Sequence, residues 1–398
     1  MNELIITNYK NSTICAVYED KIMTEVSVSR KKDNHLGNIY VGRIDNIVKN
    51  INAAFVNIQD NLSCYLDLSA VQGAIFVKKQ SEKKISIGDE LIVQVQKEEV
   101  KTKAPVLTTS FSLSGKYAVV VHNGSGLQIS KKITSKAIRN SLKEDLSVYT
   151  REQVGIVIRT NAEKADRLDV VSEIEVLLQE YDKIATEGIH KTKYSLLYKE
   201  LPQYLVTIRD AKDFSLSKIA TNISCIYKEI NNYLIDHPVL NFENRPLEVE
   251  WVEDASELAI RYKINHFMDQ ALKRMVYLNS GGTIVIEPTE ALTVIDVNTG
   301  KAIAGKKKME ETFLKINMEA AKEIAAQIRL RNISGIILID FINMAEEASK
   351  DMLLEKLREY FKMDPVQTEL VDITKLGLVE ITRKKICKTL SEQLLDAQ

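Results

Sequence analysis

Two aspartates stand at the ends of two apolar runs, in a setting suited to holding a metal ion. Asp296 ends LTVID within TIVIEPTEALTVIDVNTG, and Asp340 ends GIILID within GIILIDFINM. An apolar run that stops at an acid is typical of a strand buried on both faces until its carboxyl end reaches solvent. Asn298 follows Asp296 by two residues, so on an extended chain both side chains point the same way.

The segment between the two runs has helical periodicity. In MEETFLKINMEAAKEIAAQIRLR the apolar residues recur at helical spacing, at Phe313, Ile316, Ala320, Ile324 and Ile328. The pattern therefore predicts a strand, a crossover helix and a parallel strand, which places the two strands side by side or nearly so, roughly 5 to 10 Å apart. Ligands of such sheets bind beyond the carboxyl ends of the strands, so Asp296 and Asp340 are expected to share one site.

Two carboxylates held this close repel each other, and a hard divalent cation relieves the repulsion. Magnesium suits the site because it accepts one or two carboxylates and keeps its other positions for water and phosphate oxygens. Asn298 would orient a ligand carboxylate or hold a phosphate oxygen, and Lys301 with the lysines at 306–308 would reach a polyanion. Taken alone, a strand-end aspartate is more often a turn former or helix cap, and a lysine triplet is a solvated loop.

The elements around this site belong to several domains. The first 28 residues alternate as an antiparallel meander too short to fold alone, and NIYVGRI, AAFVNI, CYLDL and ELIVQVQK predict a small closed barrel such as an OB-fold. Residues 164–198 are helical by period, QYLVTIRD is predicted as a strand, and a helix follows through Ile226 to Leu234. The predicted apolar face of the long helix consists of Leu168, Val171, Ile174, Leu177 and Leu178.

Composition narrows the class of protein. A chain of 398 residues with 45% apolar content is long enough for two to four domains. The 54 basic and 55 acidic side chains nearly cancel, which excludes a protein that coats nucleic acid indiscriminately. The four cysteines have no C-x-x-C spacing, so neither a zinc site nor a disulfide framework is expected. No apolar run of membrane-spanning length and no signal-peptide pattern occurs, which predicts a cytoplasmic protein.

The motif EALTVIDVNTG followed by MEETFLKINMEAAKEIAAQIRLRNISGIILIDFINM closely resembles the ribonuclease E/G family. The match is strong over about 50 residues and recognisable along nearly the whole chain. The resemblance implies that Asp296 and Asp340 bind the metal and that Asn298 accompanies them in catalysis. It implies a magnesium-dependent endoribonuclease that cleaves single-stranded RNA in processing or decay, leaving 5′-phosphate and 3′-hydroxyl ends.

The resemblance also implies an α/β and α+β multidomain architecture. A split RNase H-like domain would take residues 1–35 and 204–266, and an inserted OB-fold RNA-binding barrel would take 36–117. A 5′-end sensor region would follow at 118–203, a DNase I-like catalytic domain at 267–386 and a tail at 387–398.

In the barrel, the resemblance assigns RNA contacts to Phe55, Tyr65, Lys97 and Lys103. Bases stack on exposed rings while lysines follow the backbone, which is an arrangement tolerant of sequence. Phe55 read alone is better explained as a core residue.

The resemblance places a pocket for a 5′-terminal monophosphate at GIVIRTNA, with Arg159 and Thr160 as direct ligands and the backbones of Gly115 and Val119 as its lining. Arginine offers phosphate a planar fork of donors, so a terminal phosphate can be distinguished from an internal one. Without the resemblance, Arg159 would be interpreted as an ordinary cation at the end of a strand.

The sequence leaves alternatives open for the oligomeric state and for the function. The family carries a C-x-x-C zinc link through which chains dimerise, whereas GLVEITRKKICKTLSEQ and the residues after it to Gln398 have only Cys387, through natural loss or truncation. A homo-oligomer is therefore open, but no zinc link is evident. The rival functions are a non-catalytic RNA-binding protein with an idle nuclease fold, and a metal phosphodiesterase acting on DNA or a small nucleotide.

Overall fold

A computed structural model describes residues 2–29, 35–82, 84–99, 104–211, 216–237, 247–300 and 309–395. The chain forms two compact units. Unit 1 comprises Met1–Lys31, Ser217–Asn231 and Leu247–Gln398, and unit 2 comprises Lys32–Leu216 and Asn232–Pro246.

The elements are numbered in chain order over the described residues. The strands of the N-terminal half are β1 (Asn2–Tyr9), β2 (Ser12–Glu19), β3 (Ile22–Ser29), β4 (Ile39–Val48), β5 (Ala53–Gln59), β6 (Leu62–Asp67), β7 (Phe76–Lys78), β8 (Glu90–Lys97), β9 (Val106–Thr108), β10 (Ser112–Ser114), β11 (Ala118–His122), β12 (Leu127–Ile129), β13 (Val154–Ile158) and β14 (Leu196–Tyr198). The later strands are β15 (Leu216–Thr221), β16 (Glu248–Trp251), β17 (Met275–Tyr277), β18 (Thr283–Pro288), β19 (Leu292–Asn298), β20 (Gly335–Asp340), β21 (Thr368–Ile373) and β22 (Val379–Arg383). The α-helices are α1 (Lys136–Leu146), α2 (Arg167–Glu187), α3 (Gln203–Asp210), α4 (Ser224–Asp236), α5 (Ala255–Arg261), α6 (Ile264–Leu272), α7 (Met309–Leu330), α8 (Glu347–Lys362) and α9 (Leu390–Leu395).

In unit 1, the N-terminal meander is completed by a distant part of the chain. Strands β1, β2 and β3 pair antiparallel, as predicted, and the sheet continues in the order β16-β15-β1-β2-β3. Buried side chains from this sheet and from the helices α5 and α6 form one core, including Ile5, Tyr18, Ala220, Leu258 and Met268. The meander therefore gains its missing partners from residues more than 200 positions away.

The second sheet of unit 1 carries both motif aspartates. Its strand order is β17-β18-β19-β20-β22-β21, and β19 and β20 are the parallel pair, joined by the predicted crossover through α7. Ile316, Ala320 and Ile324 of α7 are buried against Ile295 and Ile337 of the sheet. One face of this sheet is therefore closed by helices.

In unit 2, the predicted barrel is a closed five-stranded one. The strands follow in the order β4, β5, β6, β9 and β8, and pairing of β4 with β8 closes the ring. Gly42 lies inside it, because a Cβ there would stand 2.6 Å from Val56 Cγ1 and 2.9 Å from Val93 Cγ2. The chain thus has the mixed α/β character that was predicted, with a closed barrel among several sheets.

The rest of unit 2 corrects two predictions. In the long helix α2, Ile174 and Leu178 are buried and Val171 and Leu177 are partly buried against the same core, so four of the five predicted face residues are confirmed. Leu168 is 77% exposed, and its place on that face was predicted wrongly. The segment QYLVTIRD is the helix α3 and not a strand. Val206, Thr207 and Ile208 are β-branched, a type enriched in strands, but Tyr204, Leu205 and Ile208 are buried at helical spacing after Pro202.

Candidate active site and terminal-phosphate pocket

Asp296 and Asp340 are direct register partners at the ends of neighbouring parallel strands. The pairing runs from Leu292 beside Ile336 to Asp296 beside Asp340. Paired strands lie about 4.8 Å apart, so the two carboxylates leave the sheet next to each other. The structure therefore brings together the two acids that the sequence predicted would share a site.

The face that carries these acids differs from the prediction. Burial alternates along both strands, with Ile295, Val297, Ile337 and Ile339 in the core. On the other face Val294 is 36% exposed and Ile336 is 51% exposed. The prediction of strands buried on both faces was wrong, because α7 and α8 cover one side of the sheet only. On this second face Asp340 is exposed and Asp296 is partly buried.

Asn298 lies beside Asp296 as the two-residue spacing required. Its Nδ2 donates a hydrogen bond of 2.7 Å to Asp296 Oδ2. One oxygen of Asp296 is thus oriented by the amide, while the other is left to a ligand. The lysines at 301 and 306–308 lie outside the described residues.

The turn next to Asn298 depends on glycine. Gly300 has φ +58, and a Cβ there would stand 2.1 Å from the Gly281 carbonyl oxygen. Gly282 in turn would bring a Cβ within 2.9 Å of the Asn298 carbonyl oxygen. The loop between β17 and β18 can therefore approach the end of β19 only with glycines at these positions.

Helix α7 fixes two loops at this end of the sheet, the connection from β20 to α8 and the loop between β17 and β18, a role that no local sequence pattern predicted. Asn317, which is fully buried, donates from Nδ2 to the Ile342 carbonyl at 2.8 Å and accepts from the Ile342 N–H at 3.1 Å, just beyond Asp340. The Glu310 carboxylate accepts hydrogen bonds from the backbone N–H groups of residues 345 and 346. The Glu319 carboxylate accepts them from residues 279 and 280. Burial raises the pKa of Glu319, but the bonds from Ser280 and Asn279 outweigh it and lower the pKa overall.

The carboxylate pair fits a magnesium ion better than zinc. Within the described ranges, neither Asp296 nor Asp340 forms an ion pair, and no group of three or more His, Cys, Asp and Glu side chains could hold a metal. Zinc sites in proteins take three or four such ligands, whereas magnesium takes one or two carboxylates and retains waters. The two uncompensated acids and the amide of Asn298 match the second donor set.

Three of the four predicted RNA-contact residues in the barrel lie in one row. Phe55 faces Tyr65 across β5 and β6, Tyr65 faces Val106, and Val106 faces Lys97. The rings of Phe55 and Tyr65 pack edge to face with centroids 6.5 Å apart, and both are only partly buried. Phe55 is thus outside the barrel core, and the row combines rings with a cation. Lys103 lies outside the described residues.

Arg159 leaves the end of β13 and is held by two acceptors. Its Nη1 donates to the Gly115 carbonyl at 2.6 Å, and its Nη1 and Nη2 donate to the two oxygens of Asp210 at 2.7 and 2.8 Å. Thr160 Oγ1 lies 3.1 Å from Ser130 Oγ. Val119 lies in β11 between Ser114 of β10 and Val157 of β13, so its backbone faces neighbouring strands.

The turn at Gly115 is held by an acid that the sequence did not reveal. The Glu173 carboxylate of α2 accepts N–H bonds from Lys116, Tyr117 and Ala118 at 2.7, 2.6 and 2.9 Å. A Cβ at Gly115 would stand 2.4 Å from this carboxylate. A side chain at 115 would therefore displace the Glu173 carboxylate from the turn whose Gly115 carbonyl accepts from Arg159. Only tertiary structure brings α2 to this turn, so no local pattern could have identified Glu173.

Comparison with known proteins identifies the family to which this sequence is similar. The model of the ribonuclease E/G family matches residues 112–386. A ribonuclease E from Nostoc sp. is 33% identical over 380 residues, covering 94% of this chain and 54% of that protein. A ribonuclease G from Salmonella typhimurium is 30% identical over 395 residues, covering 96% of this chain and 80% of that protein. A ribonuclease G from Escherichia coli is 30% identical over 404 residues, covering 98% and 81%.

The chain belongs to the ribonuclease E/G family. It spans only 54% of the length of the Nostoc ribonuclease E. Among the residues that the structure describes, no helix is both long and apolar enough to cross a membrane.

Proposed function

We propose that this protein is a magnesium-dependent endoribonuclease that cleaves single-stranded RNA and prefers 5′-monophosphorylated ends. Family membership supports an endoribonuclease of RNA processing or decay. The magnesium dependence and the end preference are the finer parts of the proposal. The observation that carries it is the register pairing of Asp296 with Asp340 on an open sheet face.

Three residues would have separate roles at this face. Asp296 and Asp340 would hold the ion, and Asn298 keeps Asp296 oriented through its 2.7 Å hydrogen bond. When bound, magnesium supplies an activated water and neutralises charge on the phosphoryl oxygens. The neighbouring positions Val294 and Ile336 are 36% and 51% exposed, which favours access by a polymer.

The barrel and the terminal-phosphate pocket would select the substrate. Phe55 and Tyr65 offer rings for bases, and Lys97 lies in the same row for the RNA backbone. Arg159 with Thr160 would bind a terminal phosphate. Single-stranded RNA fits this combination better than DNA duplex or a small nucleotide, and comparing RNA with DNA of equal sequence tests the choice.

The decisive experiment measures magnesium-dependent cleavage of a labelled single-stranded RNA with mapped ends. We expect Asp296→Asn and Asp340→Asn to lose cleavage by about a thousandfold while RNA affinity is retained. Asp372→Asn is the matched control, because Asp372 is an exposed acid of the same sheet on β21. Turnover retained in Asp296→Asn would overturn the assignment, and wild-type binding without any cleavage would favour a non-catalytic RNA-binding protein.

A further inference from the structure

Asp210 links the pocket arginine to a second, more buried arginine. Asp210 Oδ1 accepts from Arg159 Nη1 at 2.7 Å and from Arg209 Nε at 2.9 Å, while Oδ2 accepts from Arg159 Nη2 at 2.8 Å. Arg209 is only 7% exposed, and its Nη1 donates to the Ser114 carbonyl at 2.8 Å. The carboxylate at the end of α3 is therefore anchored to the same turn that carries Gly115.

Asp210 binds one particular edge of the planar Arg159 guanidinium. The end-on edge, formed by Nη1 and Nη2, is occupied by Asp210, and Nη1 also donates to Gly115. Within the described part of the chain, the side-on edge formed by Nε and the outer N–H of Nη2 donates to nothing. A guanidinium is planar and its donors have fixed directions, so fixing one edge also fixes the direction of the other.

We propose that Asp210 is a positioning residue for 5′-end selection, holding Arg159 by one edge so that its other edge is presented to a terminal phosphate. The inference rests on the proposed 5′-monophosphate preference and deepens it. Without Asp210, the Gly115 carbonyl is the one acceptor left to Arg159 among the described residues, and its long side chain regains rotational freedom. A phosphate would then have to order the arginine as well as bind it.

The opposite role, in which Asp210 occupies the place of the phosphate and is displaced by it, fits the contacts less well. Displacement would have to break the bond from Arg209 as well, or leave a carboxylate beside the incoming anion. Burial raises the pKa of Asp210, but the hydrogen bond from Arg159 and the charge of Arg209 outweigh it and lower the pKa overall. Asp210 is accordingly ionised and paired before any ligand arrives.

The test compares two RNAs of identical sequence that differ only in a 5′-monophosphate or 5′-hydroxyl end. In the full-length Asp210→Asn protein we expect the ratio of kcat/KM values to fall about tenfold, through a higher KM for the monophosphorylated RNA. Cleavage of the 5′-hydroxyl RNA should stay within about twofold of wild type. Asp182→Asn is the matched control, since it breaks the exposed ion pair with Arg151, which shares no partner with Arg159.

Asp210→Glu supplies a second test if Asp210→Asn folds poorly, because it keeps the charge opposite both arginines. The added methylene moves the point at which the fork is held, so a reduced ratio is expected here too. An unchanged ratio, a raised ratio, or an equal loss on both RNAs would each overturn the positioning role. Arg159→Ala distinguishes failure of this inference from failure of the proposed function. If the preference for the monophosphorylated RNA is lost in Arg159→Ala but kept in Asp210→Asn, only the role of Asp210 is overturned. If the preference is kept in Arg159→Ala, the proposed 5′-monophosphate pocket is overturned as well.

Discussion

The carboxylate pair of β19 and β20 differs in its charge pairing from the arginine pocket of unit 2, which consists of Arg159, Asp210, Arg209 and the Gly115 carbonyl. Asp296 and Asp340 stand side by side and, among the described residues, neither has a cationic partner. Arg159 is paired through both terminal nitrogens, and its partner Asp210 is paired again with Arg209. In our proposal the first site recruits a cation to two neighbouring acids, and the second uses its charges to fix the orientation of Arg159.

This difference predicts which step each site controls. A site of unpaired acids acts through the ion that it recruits, so its loss affects every substrate. A site of paired charges acts through orientation, so its loss affects only the substrate whose phosphate reads that orientation. Substitutions at the two sites should therefore separate a general loss of rate from a selective one.

The largest effect should come from removing an acid of the pair. In Asp340→Asn the proposed ion loses one of its two carboxylate ligands, so cleavage should fall about a thousandfold, roughly 4 kcal/mol, on 5′-monophosphorylated and 5′-hydroxyl RNA alike. In Arg159→Ala only the monophosphorylated RNA should lose rate. Initial rates on both RNAs at saturating magnesium measure this. A selective loss in Asp340→Asn would erase the distinction between the two sites.

The next effect concerns stability and pH in the arginine pocket. Asp210→Asn leaves two arginines facing one neutral acceptor, so the free energy of unfolding at pH 7 should fall by about 1–3 kcal/mol. The folded pKa of Asp210 is lowered, so its contribution is complete above the unfolded value of about 3.9 and is lost as the pH falls through the folded pKa.

Urea unfolding of wild type and Asp210→Asn at pH 7, 5 and 3.5 checks this. The difference between the two proteins should be largest at the two higher pH values and shrink at the lowest. Asp182→Asn is the control, because an ion pair whose side chains are 48% and 49% exposed should contribute less than about 1 kcal/mol. A difference that grows towards acid would mean that the folded pKa of Asp210 is raised and not lowered.

The two sites also differ in how far the sequence could predict them. The strand, helix and strand around Asp296 and Asp340 follow each other along the chain, so periodicity and handedness were sufficient to place the acids together. The face on which they stand was not predictable, because an apolar run such as GIILID does not say that Ile336 will be left 51% exposed.

The pocket depended on contacts that no local pattern encodes. Arg159 and Asp210 are 51 residues apart, and Tyr117 and Glu173 are 56 apart. The segment ending in Asp210 was predicted to be a strand, which would have pointed its side chains elsewhere. Arg159 and Thr160 came from the family resemblance, whereas Asp210 and Glu173 came only from the fold.

A smaller effect is expected from Asn298→Ala. The substitution removes the hydrogen bond to Asp296 Oδ2 but neither carboxylate, so cleavage should fall about tenfold and more magnesium should be needed for half-maximal rate. A magnesium titration of the rate measures both. Asn279, which donates its backbone N–H to Glu319, offers Asn279→Ala as a control that keeps this contact. Full loss of activity in Asn298→Ala would instead make Asn298 as essential as the acids.

The smallest expected effect is on the free energy of unfolding, and its sign differs between the two sites. In the absence of divalent ions, Asp340→Asn should stabilise unit 1 by about 0.5–1 kcal/mol, because it removes repulsion between neighbouring carboxylates near the surface. Asp210→Asn destabilises, although the chemical change is identical. Adding magnesium should raise the thermal stability of wild type but not of Asp340→Asn, which reverses their order. Thermal unfolding in EDTA and in magnesium measures this, with Asp372→Asn as the neutral control. If Asp340→Asn destabilised the ion-free protein, a cation of the chain would already neutralise the pair, and the contrast with the arginine pocket would fail.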